Sequence, residues 1–253
     1  ITITVPIGEI AKVLEIEEAK CPFVFVNTSW LDEVFSGNQS AYALIDIVNF
    51  SSSLSDGSSL REILDRIITA VDEVAKKYPN FMFVSYGDGV LVKALWNARF
   101  KDKKPLVRFN PEKLLECCSE IGDAIFEITG LGFYSVLTQG HNAYSHKGLY
   151  HHSDEGNHFS LNSLGTPFSF LFDIDRSVRS NIKNGTHGRA SVYMSLDFFH
   201  ALRFWYPKSR EYRAALLNSC VEFKSKLAPA EACRYVYANL SELKDYLSYY
   251  IKG

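Results

Sequence analysis

Tyr42-Ala-Leu-Ile-Asp-Ile-Val-Asn-Phe-Ser-Ser-Ser53 is the stretch on which the fold turns. Tyr42 to Val48 is a short apolar run rich in β-branched residues and reads as a buried strand. Asn49-Phe-Ser-Ser-Ser is the polar loop that ends it. Inside the run stands Asp46, a carboxylate whose burial is costly unless it is paired or binds a metal. Downstream, Leu60, Ile63, Leu64, Ile67, Ile68, Val71, Val74 and Ala75 recur on one face at helical spacing. Ser58 or Ser59 can cap the start of this helix. Pro79 disfavours helical geometry in the residue before it and ends the helix. Phe81 to Tyr86 then reads as a strand, Gly87-Asp-Gly as a tight turn and Val90 to Trp96 as the return strand. A second acid, Asp88, therefore falls at a hairpin tip. Strand, helix and hairpin follow the order of a split βαβ, ferredoxin-like unit, in which the first strand and the hairpin are neighbours. Asp46 and Asp88 are accordingly expected to converge.

Working outward, Arg99 to Lys104 reads as a charged, solvated loop, Pro111 to Thr129 as a second helix and Phe133 to Thr138 as a strand. Phe159-Ser-Leu-Asn-Ser-Leu-Gly165 leads into a helix over about Thr166 to Ser180, and Ala190 to Met194 reads as a last strand. The expected architecture is α+β, a βαββαβ core with helices on one face of a mostly antiparallel sheet. From Leu196 onward the pattern reads as mainly helical, through Tyr212–Lys226, Pro229–Leu240 and Ser241–Ile251. Near the start, Ile7 to Lys20 reads as a short helix and Phe23 to Val26 as a strand. No Gly/Pro/Ser linker interrupts the chain. The expectation is a single domain over 1–253, with a core at about 41–195 and a C-terminal helical appendage at about 196–253.

Composition excludes several classes. With 253 residues and 47% hydrophobic content the chain can bury one substantial core. With 27 basic and 29 acidic side chains, there is no basic excess of the kind a nucleic-acid or membrane surface demands. No apolar run approaches the roughly 20 residues that span a bilayer. The first residues are too short and polar a run for a signal peptide. Five cysteines (Cys21, Cys117, Cys118, Cys220 and Cys233) include no Cys-x-x-Cys pair and read as reduced, mostly buried thiols of a cytoplasmic protein. Five histidines between His141 and His158 match no zinc-ligand spacing and read as a hairpin with exposed imidazoles.

Two carboxylates at such positions suit hard divalent cations such as Mg²⁺ or Mn²⁺, which take few carboxylates and leave other positions to water and phosphate oxygens. The loop Asn49-Phe50-Ser51, followed by a helix N-terminus, offers backbone N–H groups to phosphate. Either acid alone reads better as a buried, hydrogen-bonded Asp; the pair, with the helix between them, reverses that preference. The pair resembles a known family: Asp46-Ile-Val-Asn-Phe-Ser51 is similar to the Asp-Ile-x-Gly-Phe-Thr motif of class III nucleotidyl cyclases, and Tyr86-Gly-Asp88 to their second motif at a hairpin tip. Leu164-Gly165 before a helix resembles a third landmark, so the likeness covers roughly Ala41 to Ser195. It implies that Asp46 and Asp88 bind two metal ions, with the carbonyl of Ile47 as a further ligand. It also implies a head-to-tail homodimer, in which the metal side of one subunit faces the base-binding side of its partner.

The departures from that pattern bear on the substrate. Asn49 stands for the usual Gly and Ser51 for Thr. Adenylate cyclases carry Lys four residues before the second Asp and Asp three residues before the Gly of the third landmark; here these are Val84 and Asn162. Asn162 can give and accept hydrogen bonds to an amide edge such as that of a pyrimidine. The transition-state Asn and Arg positions carry Ser169 and Asp173. Arg176, on the same helical face as Ser169, either replaces the Arg or pairs with Asp173 at the surface. Phe83 and Tyr86 either narrow the base pocket or pack in the core. These features resemble the bacterial pyrimidine cyclases of Pycsar-type anti-phage defence, which implies conversion of UTP, favoured over CTP, to a cyclic monophosphate. A purine cyclase with altered base-reading residues, or an inactive cyclase-homology module, are the other readings.

Overall fold

In the computed structural model, the structure describes residues 39–50, 57–79, 81–96, 100–101, 104–105, 111–141, 150–152, 159–161, 166–183, 190–205, 220–231 and 233–239. The elements expected at Ile7–Lys20, Phe23–Val26 and Ser241–Ile251 lie outside these residues, as do Ser51 and Asn162.

Strand β1 (Gln39–Ile47) lies in the interior of a seven-stranded sheet. It pairs antiparallel with β3 (Gly89–Trp96) on one side and β6 (Phe133–His141) on the other. β2 (Phe81–Tyr86) completes the β2–β3 hairpin at one edge. Beyond β6 follow β9 (Ala190–Ser195), parallel to it, and then β11 (Cys233–Asn239) and β10 (Cys220–Phe223). Two short hairpins stand apart: β4 (Phe100–Lys101) with β5 (Lys104–Pro105), and β7 (Tyr150–His152) with β8 (Phe159–Leu161). The stretch read as a charged loop thus contains a minimal hairpin, and the histidine-rich stretch contains the hairpin expected of it.

Helix α1 (Gly57–Lys77) buries Ile67, Val71 and Val74, with Leu60, Ile63 and Leu64 packed beside them. Each such burial contributes about 1.5–3 kcal/mol. Ile68 falls outside the packed stripe and is exposed. At the end of α1, Tyr78 donates to Glu120 (3.0 Å) and Lys77 pairs with the same carboxylate (2.7 Å), which ties α1 to α2. Helix α2 (Pro111–Thr129) begins on Pro111, where a missing N–H is harmless, and stops at Gly130. Gly130 takes the left-handed φ of 69° while its N–H bonds Phe126 O at 2.8 Å.

Helices α1, α2 and α4 (Leu196–Trp205) cover one sheet face, built on Ala43, Ile45, Ile47, Val92 and Val192. Helix α3 (Thr166–Lys183) covers the opposite face, through Leu171, Ile174 and Val178 against Tyr42, Leu44, Tyr134, Val136 and Tyr193. The expectation of helices on one face is corrected here. The central strands are apolar on both faces, as strands covered on both sides are.

A second correction concerns the C-terminal region. Tyr212–Lys226 and Pro229–Leu240 read as helical, but Cys220–Phe223 and Cys233–Asn239 are strands that extend the sheet. Tyr235 packs on the α3 face and Val236 and Ala238 on the other, so alternate residues are buried on both sides and no polar alternation marks the strand. Of the appendage, α4 is helical as expected.

Candidate active site

Asp46 is the penultimate residue of β1 and follows Tyr42 and Leu44 on the α3 face. Its Oδ1 accepts from Ile47 N–H at 3.0 Å. Directly across the β1–β6 ladder stands Tyr134, whose hydroxyl donates to Asp46 Oδ2 at 2.7 Å. The same hydroxyl is 2.7 Å from Oδ1 of Asp175, a buried residue of α3. Arg179, one helical turn on, grips Asp175 Oδ2 with Nε at 2.9 Å and Nη2 at 2.8 Å.

Asp88 is set by the β2–β3 hairpin, where Tyr86 pairs with Gly89 and the turn is two residues long. Gly87 supplies the left-handed φ of 57° that such turns demand at their first position. From this turn the charge of Asp88 bears on Asp46. Burial raises the Asp46 carboxyl above its ordinary value; the Tyr134 hydrogen bond opposes this, the charges of Asp88 and Asp175 add to it, and Arg179 opposes it. Tyr86, half-exposed, belongs to the same cluster: burial and the carboxylates of Asp46 and Asp175 push its phenol up. Val84 shares the face of Tyr86 and packs at the margin of the α3-side core.

The loop after β1 is led in by Val48 N–H bonding Gly132 O at 2.8 Å. Asn49 adopts φ 58°, the region that favours glycine and that Asn tolerates best among the other residues. Its replacement of Gly therefore keeps the backbone path. The Phe50 side chain is buried in the core under α1 and α2, so it anchors the loop and leaves only its backbone for a ligand. The Ile47 side chain is buried on the same side, away from Asp46.

Helix α3 divides its charges. Asp173 accepts from Ser225 Oγ (2.6 Å) and Lys226 N–H (3.1 Å) just beyond β10, and pairs with Arg176 at 2.8 Å. Arg176 is thus tied to Asp173, the second of the two arrangements open in the sequence. Ser169 is half-buried in the first turn of the helix. Another cation on this face, Lys93, is fully buried opposite Tyr42, with Nζ 5.7 Å from that ring, and burial lowers its pKa.

Tyr134, Asp175 and Arg179 are site residues that the sequence reading missed. Asp175 carried a usable signal: with Leu171, Ile174 and Val178 it lies on the buried stripe of α3, an acid among apolar positions as Asp46 is. Among the described residues no group of three or more His, Cys, Asp or Glu side chains could hold a metal ion. The donor set still suits a hard cation: two carboxylates, a backbone carbonyl at Ile47, and an Asp46 whose negative charge is opposed by burial and by two neighbouring acids. Also among these residues, no helix is long and apolar enough to cross a membrane. Cys117, Cys118, Cys220 and Cys233 are free thiols.

Together, the mixed sheet, the helix between the two acid-bearing elements and the hairpin-borne Asp88 define the fold of class III nucleotidyl cyclase catalytic domains. Among solved structures, the guanylyl cyclase Cya2 superposes with a TM-score of 0.52 at 13% identity, over 79% of this chain and 89% of that one. The guanylate cyclase domain of RhGC from Catenaria anguillulae, solved in complex with GTP, gives 0.50 at 12% identity, over 79% and 96%. No protein-family model matches the chain, and neither does any curated protein.

Proposed function

We propose that the protein is a nucleotide cyclase that converts a pyrimidine nucleoside triphosphate, UTP in preference to CTP, to its 3′,5′-cyclic monophosphate and pyrophosphate. The observation that carries the reading is that Asp88, on the β2–β3 turn, lies near enough for its charge to bear on Asp46, in a fold shared with cyclase catalytic domains. In the reaction the ribose 3′-oxygen loses its proton and bonds the α-phosphorus, and the bond from that phosphorus to the pyrophosphate oxygen breaks. Two divalent cations, Mg²⁺ or Mn²⁺, would supply activation of that hydroxyl and neutralisation of the triphosphate. Asp46, Asp88 and the Ile47 carbonyl would hold them. The backbone around Asn49, Phe50 and Ser51 would receive phosphate oxygens.

Specificity rests on Val84, which offers no charge to a purine edge, on Tyr86, half-exposed on the same face, and on Asn162, whose amide matches a pyrimidine edge. Ser169 occupies one transition-state position, and Arg176 is the nearest arginine to the other, which Asp173 occupies. A head-to-tail homodimer would bring them to the partner's metal site. The free thiols accord with a reducing cytoplasm, and the departures at Val84, Asn162, Ser169 and Asp173, which resemble those of pyrimidine cyclases, support a role in bacterial antiviral defence.

One observation favours the inactive-module reading: Arg176 is paired with Asp173, the acid that stands where the usual arginine would. The deciding experiment is incubation of pure protein with Mn²⁺ and each of ATP, GTP, CTP and UTP, with the products identified by mass. A cyclic pyrimidine monophosphate is expected. Cyclisation of ATP or GTP alone defeats the pyrimidine assignment, and recovery of all four intact favours the inactive module.

A further inference from the structure

Tyr134 stands between two acids. Its hydroxyl is 2.7 Å from Asp46 Oδ2 and 2.7 Å from Asp175 Oδ1. A phenol carries one proton and can donate to one of them at a time. The other contact sets oxygen against oxygen in a place largely removed from water, which is unfavourable unless a carboxyl proton or a positive charge stands beside it. On the Asp175 side that charge is present, since Arg179 holds Oδ2 with two nitrogens. On the Asp46 side, none of the described residues forms an ion pair with the carboxylate. The ring itself is fixed: Tyr134 packs edge-on against Tyr193, and Tyr193 in turn against Tyr235.

We propose that Tyr134, Asp175 and Arg179 are positioning residues that hold the Asp46 carboxylate in the orientation in which it takes up a divalent cation. The inference rests on the metal-binding role of Asp46 but not on the identity of the nucleotide. Arg179 orients Asp175, Asp175 fixes the phenol of Tyr134, and the phenol occupies one lone pair of Asp46 Oδ2. With Oδ1 held by Ile47 N–H and Oδ2 by the phenol, the carboxylate keeps one orientation and has lone pairs left for a cation. The arrangement also joins α3 to the metal site of its own chain, so that a shift of α3 is felt at Asp46.

The test is direct titration of the full chain with Mn²⁺ alone, followed by the loss of the free-ion electron paramagnetic resonance signal. Wild type is expected to bind Mn²⁺, and Asp46→Asn to lose this binding. Tyr134→Phe, with an unchanged circular dichroism spectrum, is expected to bind about ten-fold more weakly, the lower end of the loss seen when a ligand's supporting hydrogen bond is removed. Arg179→Gln carries the test if the phenylalanine variant fails to fold. Its sign is informative: loss of a nearby positive charge alone tightens cation binding, whereas loss of positioning weakens it. The proposal is overturned by Mn²⁺ affinity within two-fold of wild type in folded Tyr134→Phe, by tighter binding in Arg179→Gln, or by a wild type that binds no Mn²⁺. If these binding results hold while no nucleoside triphosphate is cyclised, the proposed activity fails and the positioning role stands.

Discussion

Asp46→Asn should stabilise the metal-free protein and abolish its response to metal. The amide is the same shape. Its Oδ1 keeps the bond from Ile47 N–H, and its Nδ2 can donate to the Tyr134 oxygen, which frees the single phenolic proton for Asp175. Hydrogen-bond losses are therefore small, and the gain is relief of a partly buried charge whose burial and whose neighbours Asp88 and Asp175 outweigh the help of the Tyr134 hydrogen bond and Arg179. That gain is on the order of 1 kcal/mol, or roughly 2–4 °C in Tm for a chain of this size. The pH dependence has a definite sign. Because the folded carboxyl lies above its unfolded value of 3.8, its contribution is fully favourable in acid below that value and is lost as pH rises through the folded value. The variant's advantage should thus vanish in strong acid and be full at neutrality. Saturating Mn²⁺ reverses the order, since a ligand at a hundred-fold excess over its Kd stabilises by ~2.7 kcal/mol and the variant has lost the site. Differential scanning fluorimetry with and without Mn²⁺ measures both. An apo variant less stable than wild type, or equal Mn²⁺ shifts in the two proteins, refutes the reasoning.

Two further substitutions test the frame around the site. Gly122→Ala puts a Cβ 2.0 Å from the ring of buried Phe133, the residue paired with Ile47 across the β1–β6 ladder, and should destabilise by about 2 kcal/mol in urea melts despite the better helix propensity of Ala. Asp173→Ala leaves buried Ser225 Oγ without its acceptor and frees the partly buried Lys226 N–H, and should cost about 2 kcal/mol by the same measurement.

The half of the fold that carries Asp46 and Asp88 was legible because its signals are local. An acid inside a β-branched run marked β1, Pro79 and Pro111 marked helix ends, and Gly87 with Asp88 marked the hairpin. Asn49 looked like a departure, but a φ of 58° shows that it satisfies the same backbone demand as glycine. What failed depends on long-range packing. β11 buries Tyr235 on one face and Val236 on the other, so its residues carry no alternation that separates strand from helix. The placement of α3 on the second sheet face follows from the apolar character of both faces of β1, β6 and β9, which only the assembled sheet makes plain. Asp175 lay in view on the buried stripe of its helix, yet its meaning came only from Tyr134, 41 residues away in sequence.

The most direct test of the account compares wild type with Asp88→Ala on UTP and Mn²⁺, with cyclic nucleotide and pyrophosphate quantified together. The account predicts cyclic UMP and pyrophosphate in equal amounts from wild type, and neither from a folded Asp88→Ala. Turnover by the alanine variant, or release of inorganic phosphate and UDP in place of pyrophosphate, would contradict it.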